Sequence, residues 1–360
     1  MYVQRARQFN RKFGLNWDTS SVTDMSYLLS RAASFNSPFG LTLGTWDTHK
    51  VISMHGMFYY AVNFNQPFNP YSDRLDTPNL KDMGYMFSYA ERFNQTFGFY
   101  YTRDGGRVWD TSKVTNMSGM FDKATEFNQP FGICDGDIWD TSSVTDMSCM
   151  FSVAENFNQI VGFVYNGNVV KTWNTANVTD MTCMFSHAYR FNQPLIFNEK
   201  VWDTGKVRDM SEMFCSAHDF NQPLFSKRGT CWDTRSVNNM NNMFENAKSF
   251  NQPINFSLTN MENCWRIHEN VGMAYMFCGA DSFRSQVKFL QSITSGRTTE
   301  VIKGIFSIDD GAYICINLSD YSVLYHVSDT YEIPDNMINI TGIFDIIPDY
   351  PYLPKWYPSE

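Results

Sequence analysis

Long apolar runs are missing from this chain. No stretch approaches the 18 consecutive apolar residues of a membrane-spanning helix, and the first ten residues lack the apolar core of a signal peptide. We therefore expect no membrane-spanning segment and no signal-directed export. On this interpretation the protein is made in the cytoplasm, and the sequence leaves its final location unknown.

Basic residues are also scarce. The 28 Lys and Arg are outnumbered by 37 Asp and Glu, the formal net charge is -9 and the pI is near 5.2. The basic residues form no stripe of the kind that neutralises phosphates. We therefore expect no nucleic-acid partner.

The motifs of common catalytic and cofactor sites are absent as well. The sequence contains no G-x-G-x-x-G, G-x-x-x-x-G-K, G-x-S-x-G, H-E-x-x-H or C-x-x-C. We predict a protein that is not an enzyme and that holds no cofactor or metal. Cys183 and His187 are spaced as a nucleophile and its base would be on a helix, but no third group is identifiable, and we interpret them as packing or surface residues.

The eight cysteines leave one alternative open. Cys149 and Cys183 occupy the same position of neighbouring repeats, as do Cys231 and Cys264. Adjacent strands lie about 4.8 Å apart, so a disulfide is within reach in principle. Because no secretory context supports oxidation, free thiols are the favoured interpretation.

What the sequence has in abundance is one repeated unit. It reads W-D-T-S-x-V-T-D-M-S-x-M-F-x-x-A-x-x-F-N-Q-P, and 17 of the 20 Met fall at two of its positions. Such regular recurrence favours core packing over a binding groove for the Met and aromatic residues. The first residue of each copy is Trp17, Trp46, Leu75, Trp109, Trp139, Trp173, Trp202, Trp232 or Trp265.

The spacing within the unit is fixed, whereas the spacing between units is not. In all nine copies 18 residues separate the first residue from the closing Phe, while 11 to 16 residues lead from that Phe to the next copy. A constant core with variable connectors is typical of a solenoid, in which stacked coils must keep register and one edge is free to vary. The predicted fold is therefore a repeat solenoid.

Apolar periodicity suggests the local structure of each unit. With the Trp as position 0, positions 8, 11, 12 and 15 follow the i, i+3, i+4, i+7 pattern of a buried helical face. We predict a short helix from Asp146 or Ser148 to about Asn156, capped by Asp146, and a short parallel strand from Trp139 to Val144. A cation site between Asp140 and Asp146 is the less favoured interpretation, since calcium-loop glycines are missing.

Two further positions carry a single residue type. Position 15 is Ala in every copy, which predicts a close approach of neighbouring coils, and position 19 is Asn in nearly all of them. The Asn residues can form a ladder in which each amide bonds its neighbour. Ligand binding by these Asn is the alternative, but recurrence in every coil favours the ladder.

The connectors differ from one another. Those spanning residues 161–173, 97–109 and 133–139 contain Asn-Gly, Asp-Gly-Gly and Asp-Gly, which predict β-hairpins along one edge. Tolerated insertions are one interpretation, and a partner-binding edge is the other. The candidate residues for that edge are Tyr100, Tyr101, Arg103, Tyr165 and Lys171.

The repeats divide the chain into two parts. Residues 1–284 hold nine full repeats and a partial first one, and residues 285–360 lack the pattern. Short β-type runs in 305–308, 312–318 and 322–327 predict a small β-rich C-terminal domain or cap. The final stretch has Pro at every third or fourth position among aromatic residues, which predicts an extended docking tail carrying Tyr350, Tyr352, Trp356 and Tyr357.

The repeat resembles that of the BspA-like proteins, a variant of the leucine-rich repeats found in mycoplasma and other bacterial surface proteins, in protists and in large DNA viruses. The resemblance covers about residues 6–284. It implies a leucine-rich-repeat-like solenoid and roles in adhesion, surface display or protein–protein contact. The period of 29 to 34 residues and the lack of an export signal depart from the bacterial members.

These observations lead to one functional hypothesis and one alternative. The hypothesis is a non-enzymatic structural or scaffolding protein whose partners are neighbouring subunits of a large assembly, such as a minor capsid-type component of a virion. The alternative is an adhesin or receptor-like binding module displayed on a surface. The identity of the partner cannot be read from the residues.

Overall fold

A computed structural model of the chain describes residues 6–67, 77–96, 110–131, 138–165, 168–197, 200–226, 231–257, 265–266, 271–283, 287–289, 313–317, 322–326 and 337–339. This part of the chain contains no α-helix. These described residues therefore include no helix that could cross a membrane. We number the repeats as coils 1 to 9, beginning at Trp17, Trp46, Leu75, Trp109, Trp139, Trp173, Trp202, Trp232 and Trp265.

Regular strands lie in the connectors and in the C-terminal part. They are β1 (Gly162–Tyr165), β2 (Asn168–Thr172), β3 (Ile196–Phe197), β4 (Lys200–Val201), β5 (Ile254–Ser257), β6 (Trp265–Arg266), β7 (Val287–Phe289), β8 (Tyr313–Asn317), β9 (Ser322–His326) and β10 (Met337–Asn339). β1 pairs with β2 and β3 with β4, each antiparallel, while the other six strands form one sheet in the order β10-β8-β9-β7-β5-β6.

The helix predicted for residues 146–156 is wrong. In its place the chain makes overlapping turns, in which the N–H groups of Met150, Ser152 and Ala154 donate to the carbonyls three residues earlier, at 3.3, 3.0 and 3.1 Å. A helix needs i to i−4 bonds. These turns put the same four apolar positions on one side, which is why the apolar pattern resembled that of a helix.

The remaining N–H groups of the turn run hold neighbouring coils together. Those at positions 8, 10, 12 and 14 donate to the carbonyls at positions 7, 9, 11 and 13 of the next coil; Cys149 N donates to Thr182 O at 2.7 Å, for example. The set of four is complete at all eight junctions between coils 1 and 9. The same peptide group therefore accepts from the coil before it and donates to the coil after it.

Positions 10 and 14 adopt the left-handed backbone conformation in every coil, and fifteen of these eighteen residues are not glycine. A residue with a side chain loses roughly 1–2 kcal/mol in this conformation. Val153, at φ 55°, is the only β-branched residue among them. Left-handed residues end a helix but fit the third position of a type II turn, so they specify the turns that replace the predicted helix.

The predicted strand from Trp139 to Val144 is wrong: these residues form no strand, and a parallel bridge occurs instead at Asp146, two residues further on. Asp146 bridges Asn116 on one side and Asp180 on the other, and equivalent bridges continue from Asp24 to Gly272. Thr141 and its equivalents lie buried just before this point, and the Thr141 hydroxyl donates to Asn174 O of the next coil at 2.9 Å. A single column of bridges thus marks the side of the coils where strands were expected.

The core consists of columns of identical side chains. Phe at position 12 stacks on the same position of the next coil, as Phe151 does on Phe185 at 5.6 Å between ring centroids, and on Phe157 of its own coil at 4.0 Å. The Ala column at position 15 is buried throughout, which agrees with the predicted close approach. Trp202, Trp232 and Trp265 stack in the same way.

The Asn ladder is confirmed. Oδ1 of Asn158 accepts from the backbone N–H of Asn192 at 3.0 Å and from Nε2 of Gln193 at 2.9 Å. The same pair of bonds recurs along the array and starts at Asn10, whose Oδ1 accepts from Asn36 N at 2.9 Å. Because each amide oxygen is used inside the stack, these residues are structural.

Steric limits at the Ala column give a first prediction. Replacement of Ala188 by Leu adds three carbon atoms at a position without exposed surface. We expect the free energy of unfolding to fall by about 1–3 kcal/mol, measured by urea denaturation. Ala176→Leu, a half-buried position of the same coil, is the control and should stay near the parent value. An unchanged stability of Ala188→Leu would contradict the close packing described here.

The left-handed conformation of Val153 gives a second prediction. Asn tolerates this conformation better than Val does, and Asn246 occupies the equivalent position of coil 8 with φ 55°. We expect Val153→Asn to raise the free energy of unfolding by about 1 kcal/mol. The same replacement at Ser152, whose φ is not positive, should not stabilise. A loss of stability in Val153→Asn would contradict the turn conformation.

Candidate functional site

The predicted partner-binding residues fall into two groups. Tyr165 lies in β1 and Lys171 in β2, so the hairpin predicted from Asn166-Gly167 is confirmed in its two strands. Lys171 is exposed and pairs in register with Phe163. The other predicted edge and tail residues lie outside the described residues: Tyr100, Tyr101, Arg103, Tyr350, Tyr352, Trp356 and Tyr357.

The structure adds a second surface, made by the turns themselves. Positions 9, 10, 13 and 14 carry side chains away from the Phe and Met columns, and their identity changes from coil to coil. We call this surface the turn face. It is aromatic in coils 1 to 3 and carries thiols and carboxylates in coils 5 to 8.

The aromatic part of the turn face, here the tyrosine face, contains Tyr27, Tyr59, Tyr60, Tyr85, Tyr89 and His55. Tyr27, His55 and Tyr85 form one row across three coils, with centroid distances of 5.3 and 5.7 Å. Tyr60 and Tyr89 stack at 4.0 Å beside it, and Tyr59 meets both edge-on. The residues Tyr27 and Tyr60 are 40% and 37% exposed.

Glycine in alternate coils makes room for the first row. A Cβ atom at Gly56 would lie 2.5 Å from the Tyr27 ring, and one at Gly119 would lie 2.4 Å from the Tyr85 ring. Each tyrosine ring therefore lies over the glycine of the next coil. This contact holds both rings against the surface and limits their motion, so little side-chain entropy would be lost on binding.

A lysine closes the second row. Nζ of Lys123 donates to the Tyr89 hydroxyl and lies 4.3 Å from the centroid of the same ring. The hydrogen bond to Tyr89 raises the pKa of Lys123, which keeps the ammonium charged. A hydrogen bond with Tyr89 also raises the pKa of Tyr60, so the Tyr60 hydroxyl stays neutral near pH 7.

The polar part of the turn face contains a row of thiols and carboxylates: Cys149, Cys183, Glu212, Cys215 and Glu245. The Cys183 thiol lies 3.6 Å from Oε2 of Glu212, and the Cys215 thiol lies 3.9 Å from Oε2 of Glu245. All three thiols are free, so Cys149 and Cys183 are not joined by a disulfide. For the Cys231 and Cys264 pair, Cys264 lies outside the described residues.

The thiols of this row differ in acidity. A hydrogen bond from Cys183 lowers the pKa of Cys149, whereas the bond to Cys149, burial and the Glu212 charge raise the pKa of Cys183. Burial and the charge of Glu245 raise the pKa of Cys215 to about 11. Cys183 is therefore held in the protonated form, which is the unreactive one.

These contacts bear on the chemistry considered from the sequence. Cys183 bonds Cys149 and Glu212, while His187 Nδ1 bonds Ser186 Oγ at 2.9 Å, so Cys183 and His187 do not form a nucleophile–base pair. Asp140 and Asp146 each accept a backbone N–H two residues on, at 2.9 Å. They cap turns, as the favoured interpretation held, although not the predicted helix. Among the described residues no group of three metal-ligating side chains occurs.

Sequence reasoning missed the turn face for a physical reason. Its facing residues are separated by 28 to 34 positions in the chain, and no residue type is kept at these positions from coil to coil, so they do not stand out in an aligned repeat. The signal was available in the alternation of Tyr and Gly at position 10 of coils 1 to 4. Only the register of the stack shows that these positions are neighbours.

Comparison with protein families gives one match. Residues 1–100, 106–165 and 163–290 match the family described as "Mycoplasma protein of unknown function, DUF285". No curated protein and no solved structure matches the chain.

The unequal acidity of the thiols gives a third prediction. With a pKa of about 11, Cys215 has almost no thiolate below pH 9, so its alkylation rate should rise about tenfold per pH unit from 7 to 9.5. Cys149 should level off at lower pH than an ordinary thiol, as measured by iodoacetamide labelling and peptide mass spectrometry. Cys183→Ala removes the hydrogen-bond donor and should move the Cys149 profile to higher pH. Identical profiles for Cys149 and Cys215 would contradict the described contacts.

Proposed function

The chain belongs to the mycoplasma-associated family of unknown function DUF285, and we propose that it is a non-enzymatic structural protein that makes protein–protein contacts in a large assembly. The observation that carries this proposal is the division between an invariant stack and variable surfaces. The repeated residues are buried in the core or form hydrogen bonds between coils, so they are not available to a partner. What remains available to a partner is the connectors and the turn face.

The proposal includes the overall architecture. We propose that the stacked coils form a solenoid related to the leucine-rich repeats of BspA-like proteins. Its support is the unbroken series of parallel bridges from Asp24 to Gly272, with one bridge at each junction. Such a body is stiff and extended, and it offers long flanks for lateral contacts.

The connectors suit partner recognition because the stack tolerates changes in their length. Sixteen residues lead from Phe157 to Trp173 and eleven from Phe191 to Trp202, yet the columns on either side are continuous. The longer connector holds the hairpin of β1 and β2 with Lys171 exposed. Variable loops on a rigid scaffold are the usual place for binding residues.

The kind of assembly is the more specific part of the proposal. A virion component, held by its neighbours through the connectors and the C-terminal segment, is the form we favour. A surface-displayed adhesin is the alternative, and it would need one free end and an anchor. Neighbour identification by cross-linking in purified particles distinguishes them, because an assembly subunit should be cross-linked along both flanks.

Exchange of one connector gives a fourth prediction. Replacing the 15 residues between Phe157 and Trp173 by the ten between Phe191 and Trp202 removes Tyr165 and Lys171 but keeps the stack. We expect a melting temperature within a few degrees of the parent and a loss of partner capture in cross-linking. The matched control exchanges the ten residues between Phe191 and Trp202 for the ten between Phe35 and Trp46. If the first exchange leaves all partner contacts intact, the connector has no binding role.

A further inference from the structure

We propose that the tyrosine face binds the proline-rich segment 346–360 of a second copy of this chain. The inference rests on the proposed function, since it names one of the contacts through which the protein would assemble. It is carried by the geometry of the tyrosine face together with the spacing of prolines in that segment.

The tyrosine face has the properties of a protein-binding surface. In the described part of the chain, the large apolar or aromatic side chains that are more than a third exposed all lie between residues 15 and 60: Leu15, Trp17, Tyr27, Leu43, Ile52 and Tyr60. Tyrosine is enriched in binding surfaces because its ring supplies contact area at low entropic cost and its hydroxyl forms hydrogen bonds. The rings over Gly56 and Gly119 are already held in place.

Segment 346–360 has the composition that aromatic surfaces recognise. Its prolines fall at 348, 351, 354 and 358, with Tyr350, Tyr352, Trp356 and Tyr357 between them. Proline at every third residue favours the polyproline II conformation, in which such prolines share one side. The polyproline II conformation has no internal hydrogen bonds, so its carbonyls are free to accept bonds from a partner. Domains that bind polyproline segments do so with rows of aromatic side chains and hydroxyl donors.

The separation of the tyrosine rings agrees with the separation of the prolines. Tyr27 and Tyr85 are two coils apart, which is about 9.6 Å at the usual separation of parallel chains. Prolines three residues apart in polyproline II are about 9.3 Å apart. Pro348, Pro351 or Pro354 can therefore meet successive rings of the row, with His55 between them.

We assign the segment to a second copy because, within one chain, the residues that link β10 to the segment are barely long enough to bring it to the tyrosine face. Nine residues lead from Asn339, the end of β10, to Pro348, and they span at most about 30 Å. In the sheet order β10-β8-β9-β7-β5-β6, β10 lies three strands beyond β7, which follows coil 9. At about 4.8 Å per coil or strand, it is about 43 Å from coil 3 and about 53 Å from coil 1. The twelve residues to Pro351 and the fifteen to Pro354 span at most about 40 and 50 Å. Even the pair Pro351 and Pro354 would therefore need every linking residue fully extended to bind within one chain, whereas a second copy meets no such limit.

The first test measures self-association of the full chain by sedimentation velocity over a range of concentrations. We expect the mean mass to rise with concentration and to return to the monomer value on adding excess synthetic peptide 346–360. A peptide of the same composition with the prolines moved out of the three-residue spacing should have no effect. If peptide 346–360 leaves the mass unchanged, or if both peptides act equally, the proposal is wrong.

The second test changes the face. Asn242 shows that Asn fits position 10 with φ 58°, so Tyr27→Asn with Tyr85→Asn should fold, as checked by thermal unfolding. We expect this double variant to weaken association at least about tenfold. Tyr275→Asn, at the same position of coil 9, is the matched control and should associate as the parent does. Equal association of the double variant and the control would overturn the proposal.

Two further outcomes separate this inference from the proposed function. In the first, self-association is unchanged by peptide 346–360 and by the tyrosine variants but is lost when the connector between Phe157 and Trp173 is exchanged. This result overturns the inference and supports the proposed assembly role. A chain that stays monomeric at all concentrations while binding labelled peptide 346–360 overturns the role of a second copy. If neither the peptide nor the connector exchange alters any protein contact, both proposals fall.

Discussion

Four peptide groups in every coil form the hydrogen bonds between coils on which the turn conformation and the fixed repeat spacing depend. They join positions 7 and 8, 9 and 10, 11 and 12, and 13 and 14, and each accepts from the preceding coil and donates to the following one. To point alternate N–H groups out of the coil, the backbone must turn at positions 10 and 14, where the left-handed conformation appears without exception. The fixed spacing from Trp to Phe follows, because one inserted residue would break four columns at once.

The side-chain columns were largely predictable, whereas the backbone was not. Phe, Met, Ala and Asn at fixed positions of the repeat predicted a stack. The hydrogen bond from Asn192 N–H to Asn158 Oδ1 is the contact that the predicted Asn ladder requires. The helix was wrong because positions 8, 11, 12 and 15 face one side in a run of overlapping turns as well as in a helix. Gly56, Gly119 and Asn242 at position 10 were the available signal, since these residues favour left-handed turns and disfavour helices.

The surfaces that differ between coils are harder to predict. Asn166 and Gly167 predicted the hairpin of β1 and β2, because Asn-Gly favours the two-residue turn that joins antiparallel strands. The tyrosine face had no such local signal, because the stack alone brings Tyr27 to Tyr85 and Tyr60 to Tyr89. Sequence therefore placed the candidate binding residues in the connectors, and structure added a second candidate surface on the turns. Both lie where the columns leave residue identity free.

The unequal direction of the bonds between coils has an electrical consequence. In the four columns at positions 7 to 14 the carbonyls point towards the first coil and the N–H groups towards the last, whereas two other columns, which include Thr145 N to Thr115 O and Asn156 N to Thr125 O, run the opposite way. The peptide dipoles therefore cancel only in part, and a net dipole remains along the stack. Relative to chain direction the sign is reversed: partial negative charge collects where an α-helix has positive charge. Coil 1 therefore favours cations and coil 9 favours anions. The stack thus distinguishes its two ends by electrostatics alone.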